Sequence, residues 1–240
     1  MGRRTLCKRK MKICILTIAT NKYIQFVQKL YDNIEENFLT NHDIQCLLFT
    51  DHEIEENSSN VRISQIDHEP WPIPTLKRYN YFIKEKEFIS SFDYCFYLDV
   101  DMAIVDTVGD EILSDLVATR HPYKIHETPE QFAYERRPQS LAYIPIGEGV
   151  NYYAGGFNGG KTSEFLKMSQ VIADRVNKDL ENNIVAIWHD DSHMNRYLID
   201  NPPTLSLDPS YCFPEEFIGT DYPYKPKIVA LQKNHNALRT

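Results

Sequence analysis

The sequence has no apolar run near the ~20 residues that a membrane-spanning helix needs, so nothing in its 240 residues reads as a transmembrane segment. Its five cysteines (Cys7, Cys14, Cys46, Cys95 and Cys212) are odd in number and far apart, without a C-x-x-C pair. That spacing argues against zinc or dithiol chemistry and for reduced thiols in a cytoplasmic protein. Positive charge is in deficit: 26 Lys and Arg face 34 Asp and Glu, giving a net charge of −8. A general nucleic-acid role is excluded, because the polyanion rewards clustered cations, and any phosphate binding has to be local. Internal repeats, low-complexity linkers and both Gly-rich phosphate motifs are also missing.

What remains is an ordinary globular composition, 42% hydrophobic and 25% charged, which rules out a disordered chain. The length fits one domain with one large core. Residues 1–10 read as a basic arm, either an extension or a membrane-peripheral contact, and 11–240 as a single catalytic domain. The apolar run after the arm is short and lacks a small-residue cleavage site, so a secretory signal is rejected. Tyrosine is in excess at 15 residues, and tyrosine suits sugar-like partners because its ring packs on C–H faces while its hydroxyl still bonds.

Residues 12–19 are apolar and β-branched without alternation, predicting a strand buried on both faces. Tyr23, Phe26, Val27, Leu30, Ile34 and Phe38 then recur at helical spacing. Further strands are expected over 44–50, 61–66 and 93–98, with a tyrosine-rich helix over 76–88 between the last two. Alternating strands and helices imply an α/β fold with a mostly parallel central sheet flanked by helices. The stretch 121–160 reads as loop-rich surface, 165–180 as a helix, 188–199 as a turn and a shorter helix, and the segment from Asp208 as irregular.

Ligands of such sheets gather beyond the carboxyl ends of the strands. Asp99-Val100-Asp101 sits there, after Tyr97-Leu98, and alternation sends both carboxylates to one side. Two adjacent carboxylates repel unless a cation joins them, and a hard divalent ion on oxygen ligands can also bind a diphosphate. Gly155-Gly156 and Gly159-Gly160 allow close backbone approach or, equally, hairpin turns. In Trp188-His189-Asp190-Asp191-Ser192-His193 an aromatic and adjacent carboxylates stand at a helix start, where an Asp would ordinarily cap. The His189/His193 spacing resembles a zinc-protease motif without its Glu. In the tail, Lys233 and Arg239 are frayed cations unless the segment folds over the cleft, where they would neutralise phosphate.

Taken together, Tyr134-Glu135-Arg136-Arg137-Pro138-Gln139-Ser140, Ala142-Tyr143-Ile144-Pro145, Tyr152-Tyr153-Ala154-Gly155-Gly156-Phe157-Asn158-Gly159-Gly160, Trp188-His189-Asp190 with Ser192-His193, and Lys233-Asn234-His235 resemble the blood-group A and B transferases, glycosyltransferase family six. The resemblance implies a GT-A fold and a retaining α-1,3-glycosyltransferase using a UDP-sugar. It places Tyr23 against uracil, with backbone at Ile18 and Thr20 reading the base edge. Arg78, Asp99 and Asp190 would hold donor sugar and phosphates, and Asp99 and Asp101 would bind manganese. Ala154 and Gly156 fall where the family separates N-acetylgalactosamine from galactose, with Gly155 between them also on the donor. Their small size favours UDP-N-acetylgalactosamine over the alternative, UDP-galactose. His121, Ala133 and Trp188 would line the site of an α-1,2-fucosylated galactose acceptor. The sequence departs from the family in two places. Asp191 stands where a Glu nucleophile or acceptor-orienting base is usual, and Pro214 replaces an acidic acceptor contact that Glu215 or Glu216 would supply. A zinc hydrolase and a non-catalytic sugar-binding module are the remaining alternatives.

Overall fold

The computed structural model describes residues 9–54 and 59–239. Most of the basic arm, with Cys7, therefore lies outside the described residues. Arg9 and Lys10 are described, paired with Asp93 and Asp43 at 3.3 and 3.1 Å.

The expected opening strand is β1 (Lys12–Ala19), flanked in parallel by β2 (Asp43–Thr50) and by β4 (Tyr94–Leu98); β3 (Val61–Gln65) adds to β2. A three-residue strand β5 (Met102–Ile104) follows β4, then β6 (Leu116–Arg120), β7 (Tyr153–Lys161) and β8 (Leu205–Leu207). The seven-stranded sheet runs β3-β2-β1-β4-β7-β6-β8, and β7 is antiparallel to both of its neighbours. The two-residue β9 (Phe213–Pro214) and β10 (Ile228–Ala230) join β5 in a second, three-stranded sheet.

Both faces of the large sheet are covered, which is why its central strands carry continuous apolar runs. Alternation divides β1 cleanly. Ile13 and Ile15 enter a core under helix α1 (Val27–Asn37), while Cys14 and Leu16 enter a second core on the other face. Into that second core pack α2 (Ile73–Leu76), α3 (Arg78–Lys84), α4 (Lys86–Ile89), the 20-residue α5 (Thr162–Glu181) and α6 (His189–Asp200). A further helix, α7 (His235–Leu238), closes the described chain. Full burial of each large apolar side chain contributes ~1.5–3 kcal/mol, so two filled layers hold the sheet rigid beneath its carboxyl edge.

Three expectations change. The helix expected over 76–88 is broken at Lys77 and Glu85, whose ψ angles near zero (8° and 17°) interrupt the helical path. The second break is tied to the sheet edge, where the Glu85 carboxylate accepts from Ser64 and Arg62. The glycines of 155–160 lie inside a long central strand rather than in hairpin turns. The irregular final segment supplies β9, β10 and α7. Among the described residues no helix is long and apolar enough to cross a membrane.

Candidate active site

Beyond the carboxyl ends of β1 and β4 opens a cleft of about 840 Å³. Its walls include Ile18, Thr20, Tyr23, Arg78, Asp99, Asp101, His121, Ala154, Gly155, Gly156, Trp188, Asp190, Asp191, Lys233 and Arg239. Segments remote in sequence thus converge on one space.

The convergence has local causes. The break at Lys77 restarts the chain as α3 on Arg78, whose side chain is driven inward to 6% exposure. There its Nε lies 3.1 Å from Asp190 Oδ2, its Nη2 donates to Asp99 Oδ1 at 3.3 Å, and its Nη1 donates to the Gly155 carbonyl at 3.0 Å. The guanidinium also stacks 4.2 Å from the centre of the Tyr97 ring. Tyr97 lies two residues before Asp99 on the same face, and its hydroxyl donates to Asp99 Oδ1 at 2.5 Å.

Strand β7 brings its backbone to the same point through an irregularity: Ala118 pairs with Asn158 but Thr119 pairs with Ala154, so residues 155–157 bulge out of register. The bulge is fixed by Asn158 Nδ2 and Arg78 on the Gly155 carbonyl, and by Thr119 Oγ1 on that of Phe157. The lack of side chains there leaves room for the ends of neighbouring side chains. A Cβ on Gly155 would overlap Asp191 Oδ1, and one on Gly156 would overlap Met102 Cε.

Helix α6 carries Asp190 and Asp191 in its first turn, where helix amides and dipole favour negative charge. Neither Asp supplies the expected side-chain cap. The N-cap position is Trp188, whose amide donates to Ser192 Oγ at 3.0 Å; the Asp190 carboxylate accepts from first-turn backbone, and both Asp residues line the cleft. Asn195 ties the helix to β7, bonding the Tyr153 amide and carbonyl and the Asp191 carbonyl. His189, at the helix start, is held at φ +48°, an unusual backbone state for a non-glycine residue.

The electrostatics follow from this burial. Removal from water pushes the Asp190 carboxyl up to about 6 against the opposing pull of Arg78. Asp191 is raised well above the carboxylate range by burial and by Asp190, while Arg78 and the Gly155 amide oppose the shift. Asp101 is raised by burial and then by Asp99, opposed by Lys233. The His121 imidazole is pushed down to about 4 by burial, so it stands neutral at pH 7.

The tail folds over the cleft. Lys233 Nζ ion-pairs with Asp101 Oδ2, His235 Nδ1 hydrogen-bonds the Tyr23 hydroxyl at 3.1 Å, and Lys22 Nζ donates to the Ala237 carbonyl at 3.0 Å. Arg239 caps the Trp71 ring at 4.1 Å.

Two expected acceptor residues lie outside the lining. Ala133 packs against the cluster of Phe132, Tyr134, Ile144 and Tyr152, and the Glu215 carboxylate is taken by the Gln232 amide at 2.6 Å. Glu216 is bound to the Tyr123 hydroxyl. The two histidines of the zinc alternative separate: His189 lines the cleft, whereas His193 is wholly buried, 3.7 Å from Asp179 of α5. Among the described residues no three His, Cys, Asp or Glu side chains gather to hold a metal by themselves. Sequence reasoning missed Trp71, Met102 and Cys212, which also line the cleft, and it gave Tyr97 no role; only Tyr97 carried a usable signal, its alternation with Asp99.

A mostly parallel sheet with helices on both faces, an acidic pair at the end of its fourth strand and a cation-bearing tail across the opening define a GT-A type glycosyltransferase. The family model of Glycosyltransferase family 6 matches residues 3–240. The chain is 35% identical to rat histo-blood group ABO system transferase 1 over 237 residues, covering 95% of this chain and 68% of that protein. It is 31% identical over 211 residues to the O-antigen biosynthesis glycosyltransferase WbnI of Escherichia coli, covering 86% of this chain and 90% of the relative. Chicken globoside alpha-1,3-N-acetylgalactosaminyltransferase 1 matches at 28% over 245 residues, covering 95% and 69%. The chain belongs to glycosyltransferase family 6, and is a glycosyltransferase that moves a sugar from a nucleotide-sugar donor to a glycan acceptor.

Proposed function

We propose that the protein is a retaining α-1,3-glycosyltransferase that moves N-acetylgalactosamine from its UDP donor to an α-1,2-fucosylated galactose. One observation carries the donor half of this reading: Asp99 and Asp101 meet Arg78, Lys233 and Arg239 around a single cleft beyond the carboxyl end of β4. In this reading Tyr23 stacks on uracil and the backbone at Ile18 and Thr20 meets the base edge. Arg78, Asp99 and Asp190 orient the sugar, beside Ala154, Gly155 and Gly156.

Two carboxylates at a strand end form half of a hard-cation site, and diphosphate oxygens would complete it. The donor set therefore fits manganese bound together with the nucleotide rather than alone. Such an ion would neutralise charge on the departing diphosphate.

Asp191 flanks the anomeric carbon, held by the Gly155 amide and by the charge of Arg78. As the glycosidic bond breaks, its electron pair leaves with UDP, and Lys233 and Arg239 stabilise that charge. The acceptor hydroxyl gives its proton to the departing phosphate. Trp188, which is half-exposed, and neutral His121 form the acceptor wall.

UDP-galactose is the second reading, and Met102 favours it. Its methyl lies where a side chain on Gly156 would point, so the space that small residues leave for an acetamido group is bounded by Met102. Competition between the two donors, read as the ratio of kcat/KM, decides. A ratio favouring UDP-galactose overturns the N-acetylgalactosamine reading. UDP titrated with and without manganese into wild type and Asp99→Asn tests the metal site: equal affinities in all four titrations contradict it.

A further inference from the structure

The acidic pair is already neutralised in this structure by two cations of different character. Arg78, on Asp99, is buried and pinned at four places, including Asp190, the Gly155 carbonyl and the Tyr97 ring. Lys233, on Asp101, sits in the non-helical stretch between β10 and α7. Its ammonium makes one further bond in that position, donating to the nearby Leu231 carbonyl at 3.4 Å. Both members of the pair are largely removed from water, with side-chain exposures of 13% and 12%. An ammonium seated on a buried carboxylate occupies the lone pairs that a divalent cation needs.

From this arrangement we propose that Lys233 is an exchangeable internal counter-cation: it holds the Asp101 carboxylate against a divalent metal until a nucleotide diphosphate arrives, then passes to the phosphate. The proposal rests on the donor-metal reading above. Asp101, 12% exposed and beside the Asp99 carboxylate, is costly to leave unpaired. If a divalent cation joins them, Lys233 becomes a surplus positive charge, and a diphosphate bound to the same cation supplies the partner it has lost. Metal and nucleotide are then coupled through one side chain: each makes room for the other, with equal and reciprocal effects on affinity. The tail moves within the cleft it already covers, because α7 stays anchored by His235 on Tyr23 and Lys22 on the Ala237 carbonyl.

The test is manganese binding, read from the free-ion EPR signal, for wild type, Lys233→Met and Lys233→Arg, each with and without UDP and each checked for folding by thermal melt. Without nucleotide, Lys233→Met binds manganese at least about fivefold tighter than wild type, the low end of ordinary coupling between sites. Lys233→Arg, which keeps the charge, stays near wild type. With UDP the order reverses, and wild type binds the metal tighter than Lys233→Met. A Lys233→Met protein that is folded but binds nucleotide-free manganese no better than wild type overturns the proposal alone. Manganese that binds none of the proteins even with UDP overturns the donor-metal reading, and the proposal with it.

Discussion

Gly155→Ala separates the chemistry of the cleft from the stability of the fold. The new Cβ would overlap Asp191 Oδ1 and stand 3.0 Å from Asp190 Oδ2 and 3.2 Å from Arg78 Nη1. Ordinary contact is about 3.4 Å or more, so the Asp191 oxygen has to retreat by roughly 1 Å and its neighbours by a few tenths. Misplacing a reacting group by ~1 Å costs on the order of a hundredfold in rate. The backbone there is not in the left-handed region, so alanine itself adds little strain, and the loss of glycine freedom in the unfolded chain stabilises by ~0.4–1 kcal/mol. Side-chain ends give way more easily than backbone, so the variant should melt close to wild type while kcat falls about a hundredfold and donor KM moves little. Gly159→Ala is the counterpart. Its Cβ would overlap the Phe96 ring and come within 2.5 Å of the Cys95 carbonyl and 2.8 Å of Phe96 Cα, all within the paired strands β4 and β7. Overpacking of this kind costs ~1–3 kcal/mol. Steady-state UDP release and differential scanning calorimetry on both variants check the contrast. A Gly155→Ala enzyme within threefold of wild-type kcat, or a Gly159→Ala protein as stable as wild type, would refute the reasoning.

Other outcomes follow from the same geometry. Asp191→Asn should lower kcat by ~10²–10⁴ with donor KM little changed, measured by transfer assay; an unchanged kcat removes Asp191 from the chemistry. Burial pushes His193 down to about 4, so the folded state resists its protonation. Its contribution is intact above the ordinary value of 6.5 and is lost as pH falls from there toward 4. Urea midpoints of His193→Leu should therefore fall less steeply than wild type across that window. The carboxyl of Asp190, raised to about 6, has the opposite sign: its penalty is full above pH 6 and fades toward 3.8. Asp190→Asn, measured in chelator, should lose part of the stability that wild type gains on acidification through that range. Arg239→Ala removes the cation over Trp71 and should raise donor KM while leaving the melting temperature within a few degrees.

The sheet was legible because burial on both faces leaves an unmistakable mark: Ile13 to Ala19 and Tyr94 to Leu98 have no room for polar alternation. The break in the helix near Arg78 was not, because nothing local distinguishes Lys77. The turn inward is set by Asp190 and Asp99, far along the chain. The glycines of β7 were visible as a pattern but ambiguous, since hairpins and close packing demand the same residue. Their meaning depends on Asp191, Met102 and Phe96 lying opposite. The convergence of Asp99 and Asp101 on the cleft is legible from their place at the end of a buried strand together with alternation, whereas the closure of the tail rests on scattered pairings such as His235 with Tyr23 that no periodicity reveals. The position of Glu215 outside the cleft lining has the same origin: its engagement by the Gln232 amide is tertiary.

The central claim is that this cleft transfers a sugar from a metal-bound UDP donor. Its most direct test is incubation of the wild-type protein with UDP-N-acetylgalactosamine, an α-1,2-fucosylated galactoside and manganese, with a chelated control, followed by NMR of the product. An α-1,3-linked product is expected with manganese and is expected to be abolished by chelation. No transfer with either this donor or UDP-galactose, or a product of β configuration, would contradict it.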